Sequence, residues 1–393
     1  MAKERRDWHT IGRLLVACPG GIGDVVMLSP VLRALRLQMP QVEIGLLTSQ
    51  AGRRVAPFLP GMAWVWVYEP EAGREGPSMP QAEPGLAAEI RGRRFDAAFI
   101  FTGPAQSSRG LACLCREADI PIRVGYAEGA EDGADFLSEP ITAPVGGMHQ
   151  VDRYLYLLHA LGLDADGHRL ELLPPAETGG TLDRIFDTPG FGPQAEYVFL
   201  FPGEQEGAAR RKADLGEAVR MIAARIGVPF VGYFGADAVH LIDPAVGVAD
   251  HGGVQAPCPP EPLPLLIALI QRAGLVMTGD MDIVQIADAF QRPILILPPA
   301  RGCGMHRYPR NSCVRFLGCE NLFSAPGVML DELVDAAVSL LNRRRMGRKG
   351  KHADEGWDEA SIVQPDDGQE HWLSCCGEES GRTRQEATTG CAE

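Results

Sequence analysis

The sequence predicts an α/β protein made of two similar units, each with the rhythm of a doubly wound parallel sheet. Short apolar runs alternate with amphipathic stretches, the rhythm of strands and crossover helices. That rhythm occurs twice, on either side of a Pro/Gly/Thr-rich interval at 173–195. The chain is also long enough for two cores, with 393 residues of which 45% are hydrophobic.

In the first unit, strands are expected at Arg13 to Ala17, Val42 to Thr48, Ala63 to Val67 and Ala97 to Phe101. A helix is expected from Gln150 to Leu163, because Val151, Tyr154, Leu155, Leu158 and Leu161 share one face. The second unit reads as strand Tyr197 to Phe201, helix Leu215 to Ile226 and strand Pro229 to Phe234. Helix Leu263 to Arg272, strand Leu275 to Thr278, helix Asp282 to Phe290 and strand Ile294 to Leu297 follow. A last helix covers Leu330 to Asn342, and a basic run then gives way to an acidic, Ser/Thr/Gly-rich end. The expected division is therefore an N-terminal domain at 1–178, a linker at 179–195, a C-terminal domain at 196–342 and a disordered tail at 343–393.

Composition removes several classes of function. With 37 Lys+Arg against 51 Asp+Glu the formal charge is −14, the wrong sign for a chain that coats nucleic acid. The ten cysteines form neither a disulfide framework nor a CxxC pattern, which fits a reducing, cytoplasmic setting. Cys303, Cys313 and Cys319 lie close in sequence but lack the spacing of ligand pairs, so no metal site is expected. No apolar run is long enough to cross a membrane.

The junction after the first strand, Gly20-Gly21-Ile22-Gly23-Asp24, carries the strongest local signal. Glycines between a strand and a helix let the chain turn sharply and let a ligand approach the free N–H groups. Asp24 falls in the first helical turn, where it can cap the helix or act as a base. A dinucleotide fingerprint fits poorly: Val26 stands where a third small residue belongs. The second strand also ends in Thr48-Ser49-Gln50 without the ribose-binding acid.

"GGIGDVVMLSPVLRALR", "MPQVEIGLLTS", "RRFDAAFIF" and "HQVDRYLYLLHALGL" occur in an order that resembles the heptosyltransferase family. These belong to glycosyltransferase family 9 and extend the lipopolysaccharide inner core. "FPGEQEGAARRK" and "VMTGDMDIVQIADAFQRPILIL" continue the resemblance, which covers about residues 11 to 342. It implies a GT-B architecture, two Rossmann-like domains facing a central cleft, with the acceptor on the first domain and the nucleotide-sugar on the second. The implied activity is metal-independent, cofactor-free, inverting transfer of a heptose-like sugar. The donor would be a nucleotide-sugar such as ADP-heptose, and the acceptor a lipid-linked saccharide at the cytoplasmic face of the inner membrane.

Carried over residue by residue, the resemblance makes Asp24 the general base, on an acceptor loop of Gly20, Gly21 and Gly23. The donor side would use Gly203, the basic run Arg210, Arg211 and Lys212, and the segment Gly279, Asp280, Met281, Asp282 and Gln285. That last segment departs from the family pattern, because Asp282 replaces a glycine and Gln285 a histidine. Gln285 can donate a hydrogen bond but not a proton charge, and a carboxylate at 282 would repel a diphosphate. A non-enzymatic GT-B protein that binds nucleotide-sugar or glycan is thus the alternative. It gains if Asp282 and Gln285 point into the cleft without compensating donors. Elsewhere, His149 is expected to cap or orient its helix, and Asp152 with Arg153 to form a surface or hinge ion pair.

Overall fold

The computed structural model describes residues 6–69, 85–104, 106–127, 133–144, 147–165, 167–176, 180–187, 196–203, 219–233, 238–242, 254–257, 262–297, 307–309, 313–316 and 326–350. Strands β1 (Arg13–Cys18), β2 (Glu43–Thr48), β3 (Met62–Val67), β4 (Ala97–Ile100), β5 (Ile122–Tyr126) and β6 (Glu139–Ile141) form one sheet. Its order is β3-β2-β1-β4-β5-β6, and each neighbouring pair is parallel. The order reverses between β1 and β4, which makes the carboxyl end of β1 a topological switch point where ligands settle in such sheets.

The second sheet comprises β7 (Val198–Phe201), β8 (Phe230–Tyr233), β9 (Ala238–Ile242), β10 (Val254–Pro257), β11 (Leu275–Thr278), β12 (Ile294–Ile296) and β13 (Val314–Phe316). Its order is β10-β9-β8-β7-β11-β12-β13. β9 runs antiparallel to both β8 and β10, whereas β8, β7, β11, β12 and β13 pair in parallel. Here the reversal lies between β7 and β11, so the segments after those strands, Pro202-Gly203 and Gly279-Asp280, meet at a second switch point.

Burial explains why these runs are strands. In β1, Leu14, Val16 and Cys18 face one core while Leu15 and Ala17 face another, so both sides of the sheet are apolar. In β7, Val198 and Leu200 alternate with Phe199 and Phe201 in the same way. One core is common to both sheets, and smaller ones lie on their other faces.

The helices are α1 (Ile22–Val26), α2 (Ser29–Gln38), α3 (Gln50–Val55), α4 (Leu86–Gly92), α5 (Arg109–Glu117), α6 (Gln150–Ala160) and α7 (Thr181–Phe186). They continue as α8 at 219–226, α9 (Leu263–Arg272), α10 (Met281–Ala289) and α11 (Pro326–Gly350).

Two sequence expectations are modified. Part of the stretch read as a linker is α7, whose Leu182, Ile185 and Phe186 are buried in the common core. The helix expected to stop at Asn342 continues to Gly350, because the basic residues beyond it suit a helix C-terminus; residues 351–393 lie outside the described residues. Among the described residues no helix is long and apolar enough to cross a membrane.

Candidate active site

The loop from β1 into α1 is shaped by close approach. A Cβ on Gly20 would lie 2.2 Å from Asp24 Oδ2, and one on Gly23 would lie 2.7 Å from Asp282 Oδ1. A side chain at 20 would collide with Asp24 from its Cβ outward, and one at 23 would have to displace the Asp282 carboxylate. α1 packs against α10, so this loop and the start of α10 form one junction.

Asp24 is held from two directions. Its Oδ2 accepts from Gly21 N–H at 3.1 Å, and its Oδ1 lies 2.7 Å from Arg307 Nη2. The side chains of Arg307 and Asp24 are 26% and 18% exposed. Asp24 is therefore both the helix cap and one half of an ion pair, with one oxygen in each role.

Beneath Asp24, Cys18 Sγ and Tyr154 Oη lie 3.6 Å apart. Burial, with a smaller contribution from Asp24, pushes the Cys18 thiol up to about 12. Burial likewise drives the Tyr154 phenol well above its ordinary value. Neither is a nucleophile or base near neutral pH.

On the opposite side, Asp280 caps α10 by accepting from the N–H groups of Asp282 and Ile283 at 2.9 and 3.1 Å. Its own N–H donates to Thr278 Oγ1 at 3.0 Å. Gly203, at φ +91°, is placed so that a Cβ would lie 4.0 Å from Asp280 Cβ, so the segments after β7 and β11 are adjacent. Gly279 is buried, and Met281 is half-buried at the first turn of α10.

Asp282 and Gln285 both point into the junction, and both are satisfied there. Gly23 N–H donates to Asp282 Oδ1 at 2.9 Å, and Gln285 Nε2 donates to the Arg307 carbonyl. The compensating cation is Arg307. Burial raises the Asp282 carboxyl above the ordinary carboxylate range, against the lowering effect of the Gly23 hydrogen bond; Asp280 and Asp24 add to the rise, and Arg307 opposes it. The folded state thus holds this proton more tightly than the unfolded chain. The resulting stability is complete below the unfolded value and is lost as pH rises through the folded one. Asp282→Asn keeps an oxygen for Gly23 N–H and removes the buried charge. The variant should melt above the wild type at pH 7, with the gap closing below about pH 4 in a thermal-unfolding series. A variant that melts lower at pH 7 would show that the charge is stabilising.

His149 caps α6, its Nδ1 accepting from Val151 N–H at 3.2 Å, while its Nε2 donates to the Tyr308 carbonyl at 2.6 Å. The expected ion pair of Asp152 with Arg153 gives way to other partners. Arg153 is buried, donates from Nε to Thr102 O at 3.0 Å and stacks over Tyr126, because its stem lies on the core side of α6. Asp152 faces outward and meets His168 Nδ1 at 2.9 Å.

The basic run Arg210, Arg211 and Lys212 lies outside the described residues, as do Cys303 and Cys319; Cys313 is a half-buried free thiol. Arg307 and Tyr308 are the residues that sequence reasoning missed. Arg307 is one of three arginines, with Arg301 and Arg310, in a stretch rich in Gly and Pro that has no periodicity or spacing to mark it.

Comparison with protein-family models and with curated proteins gives no match. Solved structures do match over most of the chain. A family 9 glycosyl transferase from Veillonella parvula is 17% identical, with 86% of this chain and 99% of that chain covered and a TM-score of 0.65. The E. coli ADP-heptose lipopolysaccharide heptosyltransferase II is 18% identical over 85% and 99%, TM-score 0.59. The E. coli heptosyltransferase WaaC with ADP is 14% identical over 84% and 99%, TM-score 0.57. The likeness is one of fold, two Rossmann-like sheets in the GT-B arrangement.

Proposed function

We propose that this protein is an inverting glycosyltransferase that moves a heptose-like sugar from a nucleotide-sugar to a lipopolysaccharide inner-core or similar lipid-linked glycan. The observation that carries the reading is the position of Asp24. A carboxylate stands at the switch point of the first sheet, within 2.7 Å of a guanidinium from the second half of the chain. Neighbours of the same fold include proteins whose names specify ADP-heptose and lipopolysaccharide, which supports ADP-heptose as the donor.

In this reading the acceptor hydroxyl attacks the anomeric carbon as Asp24 takes its proton. The bond from that carbon to the phosphate oxygen breaks, and the nucleoside diphosphate leaves with the electron pair. A single displacement inverts the anomeric configuration. Asp24 supplies the base, the loop of Gly20, Gly21 and Gly23 holds it, and Arg307 with Arg210, Arg211 and Lys212 offsets the leaving group's charge. Gly203 and the Gly279–Asp282 segment with Gln285 frame the donor, and the acceptor's lipid places the protein at the inner face of the inner membrane.

A binding protein of the same fold is the second reading. It is favoured by Asp282, whose carboxylate holds the Gly23 N–H that a phosphate would otherwise use. Thermal shift against a panel of nucleotide-sugars tests donor recognition, since a ligand of the native state raises its stability with the logarithm of concentration over affinity. A rise with ADP-sugars supports the reading, and no rise with any nucleotide-sugar would exclude it. Transfer itself separates the two readings. It should persist in chelator, because guanidinium and ammonium groups supply the positive charge; loss of activity that magnesium or manganese restores would contradict the assigned roles.

A further inference from the structure

Arg307 is tied into the junction at three points. Its carbonyl accepts from Gln285 of α10, the next carbonyl accepts from His149 of α6, and its guanidinium reaches Asp24 of α1. The main chain is therefore pinned on both sides, and the guanidinium is the part free to change partners. Its Nε is buried and, among the described residues, has no hydrogen-bond partner. Such a donor calls for an acceptor, since leaving it unmade carries the full desolvation cost.

The surrounding charge is negative, so an anion needs this residue. The Arg307 guanidinium stands among the carboxylates of Asp24, Asp280 and Asp282, and it opposes the rise that Asp280 and Asp24 impose on Asp282. A guanidinium presents five N–H donors in a planar fork that matches phosphate oxygens.

We propose that Arg307 is a donor-binding and positioning residue whose guanidinium is contested by Asp24 and the diphosphate of the sugar donor. When phosphate oxygens take the guanidinium, Asp24 Oδ1 is released to accept the proton of the acceptor hydroxyl. Donor binding thereby arms the base, and the acceptor is activated second. The inference rests on the glycosyl-transfer reading for the identity of its ligand, a nucleoside diphosphate.

The test is calorimetric titration of ADP, with GDP and UDP alongside, into the full chain and the variants Arg307→Gln, Arg307→Lys, Asp24→Asn and Asp24→Asn/Arg307→Gln. Adenosine serves as the control without phosphate. Arg307→Gln should weaken ADP by ~10-fold or more, the factor carried by one charge-assisted contact to phosphate, and leave adenosine unchanged. Arg307→Lys should keep part of the affinity, and it carries the test if Arg307→Gln does not fold. Asp24→Asn should tighten ADP binding while Arg307 is present, and should do so far less in the Arg307→Gln background. A purely structural tie predicts no such coupling. Wild-type ADP affinity in Arg307→Gln, or equal tightening by Asp24→Asn in both backgrounds, would overturn the proposal. If the wild type binds none of the three diphosphates, the donor reading itself fails.

Discussion

Asp24→Asn is expected to lower the rate of sugar transfer by about a hundredfold or more, the usual contribution of a general base. The amide keeps one oxygen for the Gly21 N–H that Asp24 now satisfies at 3.1 Å. Its NH₂ then faces Arg307 Nη2, which sits 2.7 Å from Asp24 Oδ1, so a donor meets a donor and the ion pair is lost. Because that pair is only partly buried, the loss of folding stability should be about 1 kcal/mol or less. Turnover and denaturant unfolding of the same preparation separate the two effects. Unchanged turnover would return Asp24 to the role of helix cap alone.

Gly20→Ala is expected to be at least as damaging. The added Cβ would sit 2.2 Å from Asp24 Oδ2 and 2.4 Å from both its Cβ and Cγ, where no Cβ can remain. Asp24 must swing away, abandoning both the Gly21 N–H and Arg307, and the packed loop must shift with it. Overpacking of this kind costs about 1–3 kcal/mol of stability, and transfer should fall with the displaced base. Gly92→Ala is the control, because a Cβ there meets nothing within 4 Å. It should leave transfer unchanged and stability unchanged or raised by up to about 1 kcal/mol. Wild-type turnover in Gly20→Ala would mean that the position of Asp24 is not what the loop secures.

The parts of the fold that were legible have strong periodic signals. β1, β2, β7 and β11 are apolar runs buried on both faces, and α6 carries its apolar residues on one face. β5 and β6 were missed because Arg123 and Pro140 interrupt runs of only five and three residues. β9 and β10 were missed for a different reason: they pair antiparallel at a sheet edge, outside the βα rhythm that organised the rest.

The candidate site divides along the same line. Asp24 and the glycines around it were visible because a strand–glycine–helix junction has a local composition. The partner of Asp24 was not, because Arg307 is 283 positions away in sequence and is brought close only by the packing of α1 on α10. The substitutions at Asp282 and Gln285 looked like losses in sequence. In the structure each has a partner, Gly23 N–H and the Arg307 carbonyl, and the cation that partly offsets the Asp282 charge comes from a segment no motif marked.

The most direct measurement is mass-spectrometric analysis of acceptor saccharide incubated with the purified protein and ADP-heptose, wild type beside Asp24→Asn, with the anomeric configuration of the product read by NMR. An acceptor heavier by one heptose, linked with inverted configuration, is expected from the wild type and should be nearly absent with the variant. A product of retained configuration, or donor that binds without any gain in acceptor mass, would contradict it.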